Sequence, residues 1–365
     1  MDDAKALGRA LVLAARGRGR VSPNPLVGAV VVDRSGTVVG EGWHRRVGGP
    51  HAEVEALRAA GESARGGTLF CNLEPCSFHG RTPPCVEAVV AAGVCRVVCA
   101  LQDPDPRVDG RGFRRLREAG IEVEVGVRAV EAEEQNAAYL HHRRTGRPLV
   151  VLKLGQSLDG RIATASGASR WITGEPARRH AHRWRSWTDA VAVGAGTVIA
   201  DDPALTVRHV KGRDPRPIVV DGRLRCPPSA KVFGGREPIL ATSASAPEEE
   251  RRRFAERGVE VWALADKGGT FELGELWARA GEAGLTSVLV EGGRGLAGAA
   301  LRTRSVDRVM LYIAPRLLGG DALPGVGDLG LESLAETPII EQARTRRLGE
   351  DLLYTGKVVY PCSPD

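Results

Sequence analysis

The sequence predicts an α/β protein of two domains, and three observations predict it. The chain has 365 residues, more than one hydrophobic core usually supports. Strand and helix patterns alternate along its whole length, the mark of sheets covered by helices. A basic segment, His141 to Pro148, interrupts that alternation and sets the domains at 1–146 and 147–365.

Residues 4–16 carry apolar positions at helical spacing. Val27 to Val32 reads as a buried strand, and Asp33-Arg34-Ser35-Gly36 as a hairpin turn into a strand from Thr37 to Trp43. Pro50 opens a helix through Ala59 that Gly61 closes, with proline inside the start and glycine past the end. Thr68 to Leu73 is a strand, followed by a loop rich in turn residues. Pro83-Pro84 starts a helix through Ala92. Strands Arg96 to Leu101 and Ile121 to Val127 flank a helix from Arg111 to Ala119. The first domain is thus one mixed sheet with helices. In the second, strands are expected at 149–154, 189–194, 217–221, 238–242, 259–264, 287–291, 307–314 and 352–360, with fraying from Pro361 to Asp365.

Net charge is +6, with arginines spread along the chain and not gathered in a patch. Aromatic residues make up 4%, too few for a base-stacking strip. Nucleic acid is therefore not expected as a partner; a phosphorylated small molecule suits the charge. Met1-Asp2-Asp3 begins no signal peptide, and no window offers 18 apolar residues for a membrane span. Seven cysteines in a long chain argue for thiols and metal over a disulfide framework. A cytoplasmic homo-oligomer without membrane contact is expected.

His51-Ala52-Glu53, with Pro75-Cys76 and Cys85 downstream, is the first chemical constellation. One imidazole and two thiolates form a three-ligand zinc set and leave the fourth tetrahedral position to water. The metal lowers the pKa of that water. Glu53, two residues past the histidine near the start of a helix, faces the open position and moves protons as general acid and base. The pattern matches the H-x-E with P-C-x-x-C template of nucleobase deaminases. It departs from it because eight residues, Ser77 to Pro84, separate the cysteines. Cys71, Cys95 and Cys99 lie in or beside apolar strands and read as inert core thiols.

Three glycine-rich stretches compete as phosphate sites. Gly325 to Gly330 formally matches G-x-G-x-x-G but follows no strand, and Gly194-Ala195-Gly196 lacks a third glycine. Gly293-Arg294-Gly295-Leu296-Ala297-Gly298 follows strand Ser287 to Glu291 and opens a helix, whose unpaired N–H groups can hold a pyrophosphate. A Rossmann domain carries its fingerprint in the opening βα turn, and this domain does not. Only six of the 51 basic residues are lysines, so Lys153 inside a strand suggests a chemical need.

Several long stretches resemble the bifunctional riboflavin-biosynthesis deaminase–reductase family. In the first domain they are Pro23-Asn24-Pro25-Leu26-Val27-Gly28-Ala29-Val30, Gly42-Trp43-His44, Gly49-Pro50-His51-Ala52-Glu53 and the run from Leu73 to Cys85, whose long cysteine spacing is that family's own. In the second they are Leu152-Lys153-Leu154, Ser157-Leu158-Asp159-Gly160-Arg161, Ser169-Arg170-Trp171-Ile172-Thr173-Gly174, Asp201 to Arg208, Val290-Glu291-Gly292-Gly293 and Ala314 to Gly320. Phe78, Gly155 and Gln156 depart from the usual residues. The resemblance implies a cytidine-deaminase-like first domain and a dihydrofolate-reductase-like second one. It implies zinc and NADPH as cofactors and a diaminopyrimidine ribosyl phosphate as substrate. Asn24, His44, His79 and Arg81 would meet substrate in the first domain. In the second, Gly155, Trp171, Thr197, Asp201 and Gly293 to Ala299 would contact NADPH. Ser169, Arg185, Leu205, Arg208 and Glu291 would hold substrate, with Lys153 and Asp201 near the reacting carbon. The rival readings are a nucleic-acid-editing deaminase and a chain with only one active domain.

Overall fold

The computed structural model describes residues 1–80, 83–266 and 271–361. The chain divides into two compact units, Met1–Gly146 and Arg147–Asp365.

The first unit runs α1 (Asp3–Ala14), β1 (Gly28–Val32), β2 (Val38–Trp43), α2 (Ala52–Ala60), β3 (Thr68–Cys71), α3 (Cys85–Ala92), β4 (Arg96–Cys99), α4 (Arg111–Glu118), β5 (Glu122–Val125), α5 (Ala129–Gln135) and α6 (Ala137–Thr145). Its sheet has the order β2-β1-β3-β4-β5, with β1 antiparallel to both neighbours and β3, β4 and β5 parallel. Every residue of β1 is buried, because both of its faces are covered. Ala29 and Val31 join a core with Ala52, Ala56 and Val86 of α2 and α3. Val30 and Val32 point the other way, against Leu7 and Ala10 of α1. The expected hairpin forms as read: Asp33 Oδ1 accepts from the N–H groups of Ser35 and Thr37.

The second unit runs β6 (Leu149–Ser157), β7 (Arg161–Ala163), α7 (Glu175–Arg185), β8 (Ala190–Gly194), α8 (Ala195–Asp201), β9 (Arg216–Val220), β10 (Ile239–Ser243), α9 (Glu248–Ala255), β11 (Glu260–Leu264), α10 (Leu273–Glu282), β12 (Ser287–Glu291), α11 (Arg294–Arg302), β13 (Arg308–Ala314), β14 (Leu323–Pro324), β15 (Ile339–Leu348) and β16 (Asp351–Val359). The large sheet has the order β11-β10-β9-β8-β12-β6-β13-β16-β15, parallel from β11 to β13 and antiparallel beyond. Helices α10 and α11 pack on one face through Trp277, Leu276 and Ala300. Helices α7, α8 and α9 pack on the other through Ala181, Val198 and Phe254. Burial on both faces explains why the central strands read as continuous apolar runs.

Strand β15 differs from expectation: the sequence reading leaves 339–348 without a strand. Apart from half-buried Ile340, its residues are exposed on both faces up to Leu348, so no alternation marks it. It pairs only with β16 and carries the charges typical of a sheet edge. No helix among the described residues is long and apolar enough to cross a membrane.

Candidate active sites

In the first unit, two helix starts and one loop converge. His51 immediately precedes α2, Cys85 is the first residue of α3, and Cys76 lies in the loop after β3. Helix α2 approaches β2 closely because β2 carries Gly40 and Gly42. A Cβ at Gly42 would fall 2.4 Å from the Ala52 carbonyl oxygen, and one at Gly40 2.2 Å from that of Ala56. Any side chain there would push α2, and with it His51 and Glu53, off the sheet.

His51 Nδ1 lies 3.1 Å from Cys85 Sγ and 3.5 Å from Cys76 Sγ. The three candidate ligand atoms all fall within 4.8 Å of one another. The Cys85 backbone N–H donates to Cys76 Sγ at 3.3 Å. The Cys85 thiol, His51 and that N–H all hydrogen-bond Cys76; against the opposing effect of burial they hold its thiol at about 4, a thiolate at neutral pH. Glu53 is 3% exposed, and its Oε2 is buried with no hydrogen-bond partner. Burial pushes its carboxyl above the ordinary range. One nitrogen and two sulfurs with an orphaned carboxylate oxygen beside them suit zinc, and three protein ligands leave one position open.

Two further predicted residues extend this centre. His44 is 3% exposed, not a solvated surface histidine. Its Nδ1 meets the Pro50 carbonyl at 3.0 Å and its Nε2 meets Asn24 Nδ2 at 3.1 Å. Its ring packs edge-on to that of His51. His79, by contrast, is exposed and lies 3.6 Å from Glu87. Arg81 falls outside the described residues. Glu74 was not singled out from sequence, yet it is buried and accepts hydrogen bonds from the N–H groups of Asp103, Gly110, Gly112 and Phe113. It anchors the backbone two residues before Cys76; its place in the Leu73–Cys85 run was the available signal. The Arg107 guanidinium stacks on Phe78 and pairs with Asp105, which gives that unusual Phe78 a partner.

In the second unit, a cavity of about 820 Å³ crosses the C-terminal ends of the parallel strands, where open α/β sheets bind ligands. At one end lie Lys153 and Gly155 of β6, with Ser169 and Trp171 from the loop after β7. Trp171 is exposed, with the Arg178 guanidinium 4.6 Å from its ring centre. Thr197 and Asp201 of α8 and Leu205 also line the cavity. Glu291, at the end of β12, is the charged hinge of the wall. Arg185 grips both its oxygens at 2.9 Å, and Lys153 Nζ is 3.5 Å away. Burial opposes the charge of Glu291, but Arg185 and Lys153 outweigh it and hold the carboxyl at about 2. Arg185 is thus a buried partner and not a helix-surface charge.

The turn after Glu291 uses two glycines in the left-handed region. Gly293 has φ +79°, and a Cβ there would fall 2.7 Å from Thr197 Oγ1. Gly293, Arg294, Gly295, Leu296 and Ala299 reach the cavity. Ala297 does not: it is fully buried in the core. Gly298 does not either, because it packs on the backbone of Gly327; helical periodicity turns both away from the mouth. Arg208 is also outside the lining, its backbone N–H held by His182 Nδ1 at 3.0 Å. His182 was not foreseen; burial drops its pKa to about 4, so the ring is a neutral acceptor.

Comparison with known proteins bears on both units. Residues 1–101 match the model for the cytidine and deoxycytidylate deaminase zinc-binding region, and residues 148–354 match that for the RibD C-terminal domain. The chain is 44% identical to the riboflavin biosynthesis protein RibD of Escherichia coli, over 96% of this chain and 98% of that one. It is 42% identical to RibD of Aquifex aeolicus, over 94% and 95%. Among solved structures, Acinetobacter baumannii RibD superposes with a TM-score of 0.89 at 38% identity, covering 98% and 99% of the two chains. A diaminohydroxyphosphoribosylaminopyrimidine deaminase/5-amino-6-(5-phosphoribosylamino)uracil reductase from Thermotoga maritima gives 0.85 at 34% identity, covering 98% of each.

Proposed function

This chain belongs to the RibD family of riboflavin biosynthesis, bifunctional enzymes with a zinc-dependent deaminase half and an NADPH-dependent reductase half, and from that premise we propose how its own residues divide the work. The substrate is a diaminopyrimidine ribosyl phosphate. Residues 1–146 replace one exocyclic amine by oxygen, and residues 147–365 then reduce the ribosylamino group to ribitylamino.

The observation that carries the first half is the convergence of His51, Cys76 and Cys85 beside the orphaned Glu53 oxygen. His51, Cys76 and Cys85 would hold zinc, which when bound supplies Lewis-acid activation of water near neutral pH. Glu53 would take one proton of the attacking water on Oε2 and pass it to the ring nitrogen as the C–O bond forms, then carry the remaining hydroxyl proton to the amine as the C–N bond breaks and ammonia departs. Its raised pKa suits a group that must gain and lose a proton. Asn24 and His44, locked to each other, orient the pyrimidine. His79 lies at the exposed rim, beside the phosphate.

In the second half the cavity would hold NADPH, which supplies the hydride when bound. Gly293 to Leu296 and Ala299 would cradle its pyrophosphate, and Gly155, Trp171, Thr197 and Asp201 would flank the rest. Ala297 and Gly298 support that turn from within. Ribosylamine ring opening to an imine prepares the anomeric carbon, and Lys153 and Asp201 are the polar groups that serve it. Glu291 and Arg185 fix the wall beside Ser169 and Leu205; Arg208 is exposed and outside the lining, so it would meet the ribose phosphate only where that group leaves the cavity. The enzyme is placed in the cytoplasm as a homo-oligomer; the free cysteines among the described residues fit that compartment.

The test is product mass from zinc-loaded protein and the diaminopyrimidine ribosyl phosphate, without and with NADPH. Exchange of amine for oxygen, then gain of two hydrogens when NADPH is added, is the expected sequence. No mass change with zinc bound would reject the substrate.

A further inference from the structure

Helix α7 carries cations on two opposite flanks. Ala177 and Ala181 are its buried stripe. On one side of that stripe Arg178 and Arg185 line the 820 Å³ cavity. On the other side the helical repeat gathers Pro176, Arg179, His180 and Arg183. These four line a separate cavity of about 490 Å³, completed by Glu175 and by Arg346 and Leu348 of β15. Strand β15 supplies that pair because residues two apart share a face. Arg346 stands opposite Leu353 of β16, and both Leu353 and Leu348 join the core under α7.

The two flanks differ in how their charge is met. Arg185 is paired with Glu291 at 2.9 Å. Across the helix, the Arg183 and Arg346 guanidinium groups make no ion pair or hydrogen bond among the described residues. Arg179 reaches Glu175 only at 3.9 Å, and among the described residues of that lining Glu175 is the one carboxylate set against three guanidinium groups. Like charges around one cleft repel, and an anion between them relieves the cost. His180 sits in the same field: burial first, then Arg346 and Arg183, hold its imidazole below the ordinary range. Its Nδ1 meets the Tyr312 hydroxyl at 2.9 Å. When that hydroxyl donates to Nδ1, Nε2 carries the proton of the neutral ring and can donate to an oxyanion.

We propose that the cleft between α7 and β15 is a second ligand site, which takes the phosphate group of a small phosphorylated molecule between Arg183, Arg346 and His180, and from which that molecule acts on the reductase half. The binding goes beyond the reading of the large cavity and does not depend on it. Guanidinium forks match phosphate oxygens. The volume exceeds what inorganic phosphate fills and falls among small-molecule sites, about 300–1,000 Å³. Pro176 and Leu348 offer the organic part apolar surface. The link to the reductase half is α7 itself. A ligand that bridges Arg183 to β15 fixes the seat of the helix on the sheet, and the same helix carries the Arg185 that grips Glu291.

The experiment is calorimetry on the full chain, saturated with NADPH, using inorganic phosphate, ribose 5-phosphate, flavin mononucleotide and riboflavin as probes. The proteins are the parent, Arg183→Gln, Arg346→Gln and Arg346→Lys. The parent is expected to bind the two phosphomonoesters more tightly than inorganic phosphate, and flavin mononucleotide more tightly than riboflavin. Either glutamine variant should lose about tenfold, added salt should weaken the parent's binding, and Arg346→Lys should retain part of it. The KM of the NADPH-dependent reduction should shift about twofold or more with the tightest probe in the parent, and not in the glutamine variants. Inorganic phosphate binding as tightly as either phosphomonoester overturns the organic part of the assignment. Binding that both glutamine variants leave unchanged overturns the site and gives the phosphate to the large cavity. Binding without a shift in KM overturns the link through α7. A parent that binds the phosphomonoesters but reduces nothing supports the site and overturns the earlier reading of the large cavity. No binding of any probe overturns the site; if Arg346→Gln then also alters sedimentation, the cleft belongs to a second copy of this chain. Arg183 and Arg346 are exposed, so an unchanged melting temperature is expected in every variant.

Discussion

The two units solve the problem of building a site in opposite ways. The first concentrates its chemistry: three candidate ligand atoms within 4.8 Å and one orphaned carboxylate oxygen, all placed by the starts of α2 and α3 and one loop. The second spreads its chemistry along an 820 Å³ cavity across four strand ends. A concentrated site depends on a few side chains, each of them indispensable. A spread site depends on backbone shape, and most single side chains contribute a part.

The largest expected effect tests the concentrated site. Glu53→Gln keeps the shape and removes the proposed proton carrier. Deamination should fall by about 10²–10⁴, the usual worth of general acid–base catalysis. Zinc content by elemental analysis and NADPH affinity should be unchanged. A variant that retains deamination would remove Glu53 from the mechanism and leave the metal set without a proton carrier. Chelation is the companion experiment: it should abolish ammonia release and leave NADPH binding intact. Loss of both on chelation would mean that the two halves are not chemically separate.

The spread site is tested at its backbone. Gly293→Ala forces a side chain into the left-handed region and toward Thr197 Oγ1 at 2.7 Å. The strain costs about 1–2 kcal/mol, or roughly tenfold in NADPH affinity. Deamination should not change. An unaltered affinity would show that the turn relaxes and that the cofactor does not depend on its shape.

The same contrast explains what the sequence could tell. The metal set was legible because it is made of residue identities: one His, one Glu and two Cys flanking a polar loop are hard to read as core. The strands β6, β8 and β12 were legible because burial on both faces leaves apolar runs. Strand β15 was not, because an exposed edge carries no periodicity. In the glycine-rich turn, sequence indicated the run from Gly293 to Ala299 but not which residues face the cavity. Ala297 and Gly298 point inward only because α11 continues past them into the core and onto Gly327. Supporting groups were harder still. Glu74 holds four backbone N–H groups from 103–113, and His182 holds one from Arg208. Those partners are distant in sequence and have no local signature.

The smallest expected effect sharpens the comparison to two buried carboxylates. Glu291 faces two cations and stays ionised, its carboxyl near 2. Asp103, in the first unit, meets a hydroxyl and a backbone N–H: Tyr139 donates to both its oxygens at 3.0 Å, and the Asp105 N–H donates to Oδ1. Burial dominates there and raises its carboxyl from 3.8 to about 6. The folded chain therefore holds that proton more tightly than the unfolded chain does. The stability this contributes is present below 3.8 and is lost as pH rises through about 6. Above that, folding must bury an ionised group without a cation in contact. Asp103→Asn keeps an oxygen for Tyr139 and the Asp105 N–H but cannot ionise. It should be more stable than the parent by about 1–2 kcal/mol at about pH 8, with the gap closing near pH 4, in paired urea denaturation curves. A variant less stable at pH 8 would mean that the charged carboxylate holds Tyr139 and the 103–105 turn better than an amide can. In that case the first unit, like the second, would draw stability from a buried charge.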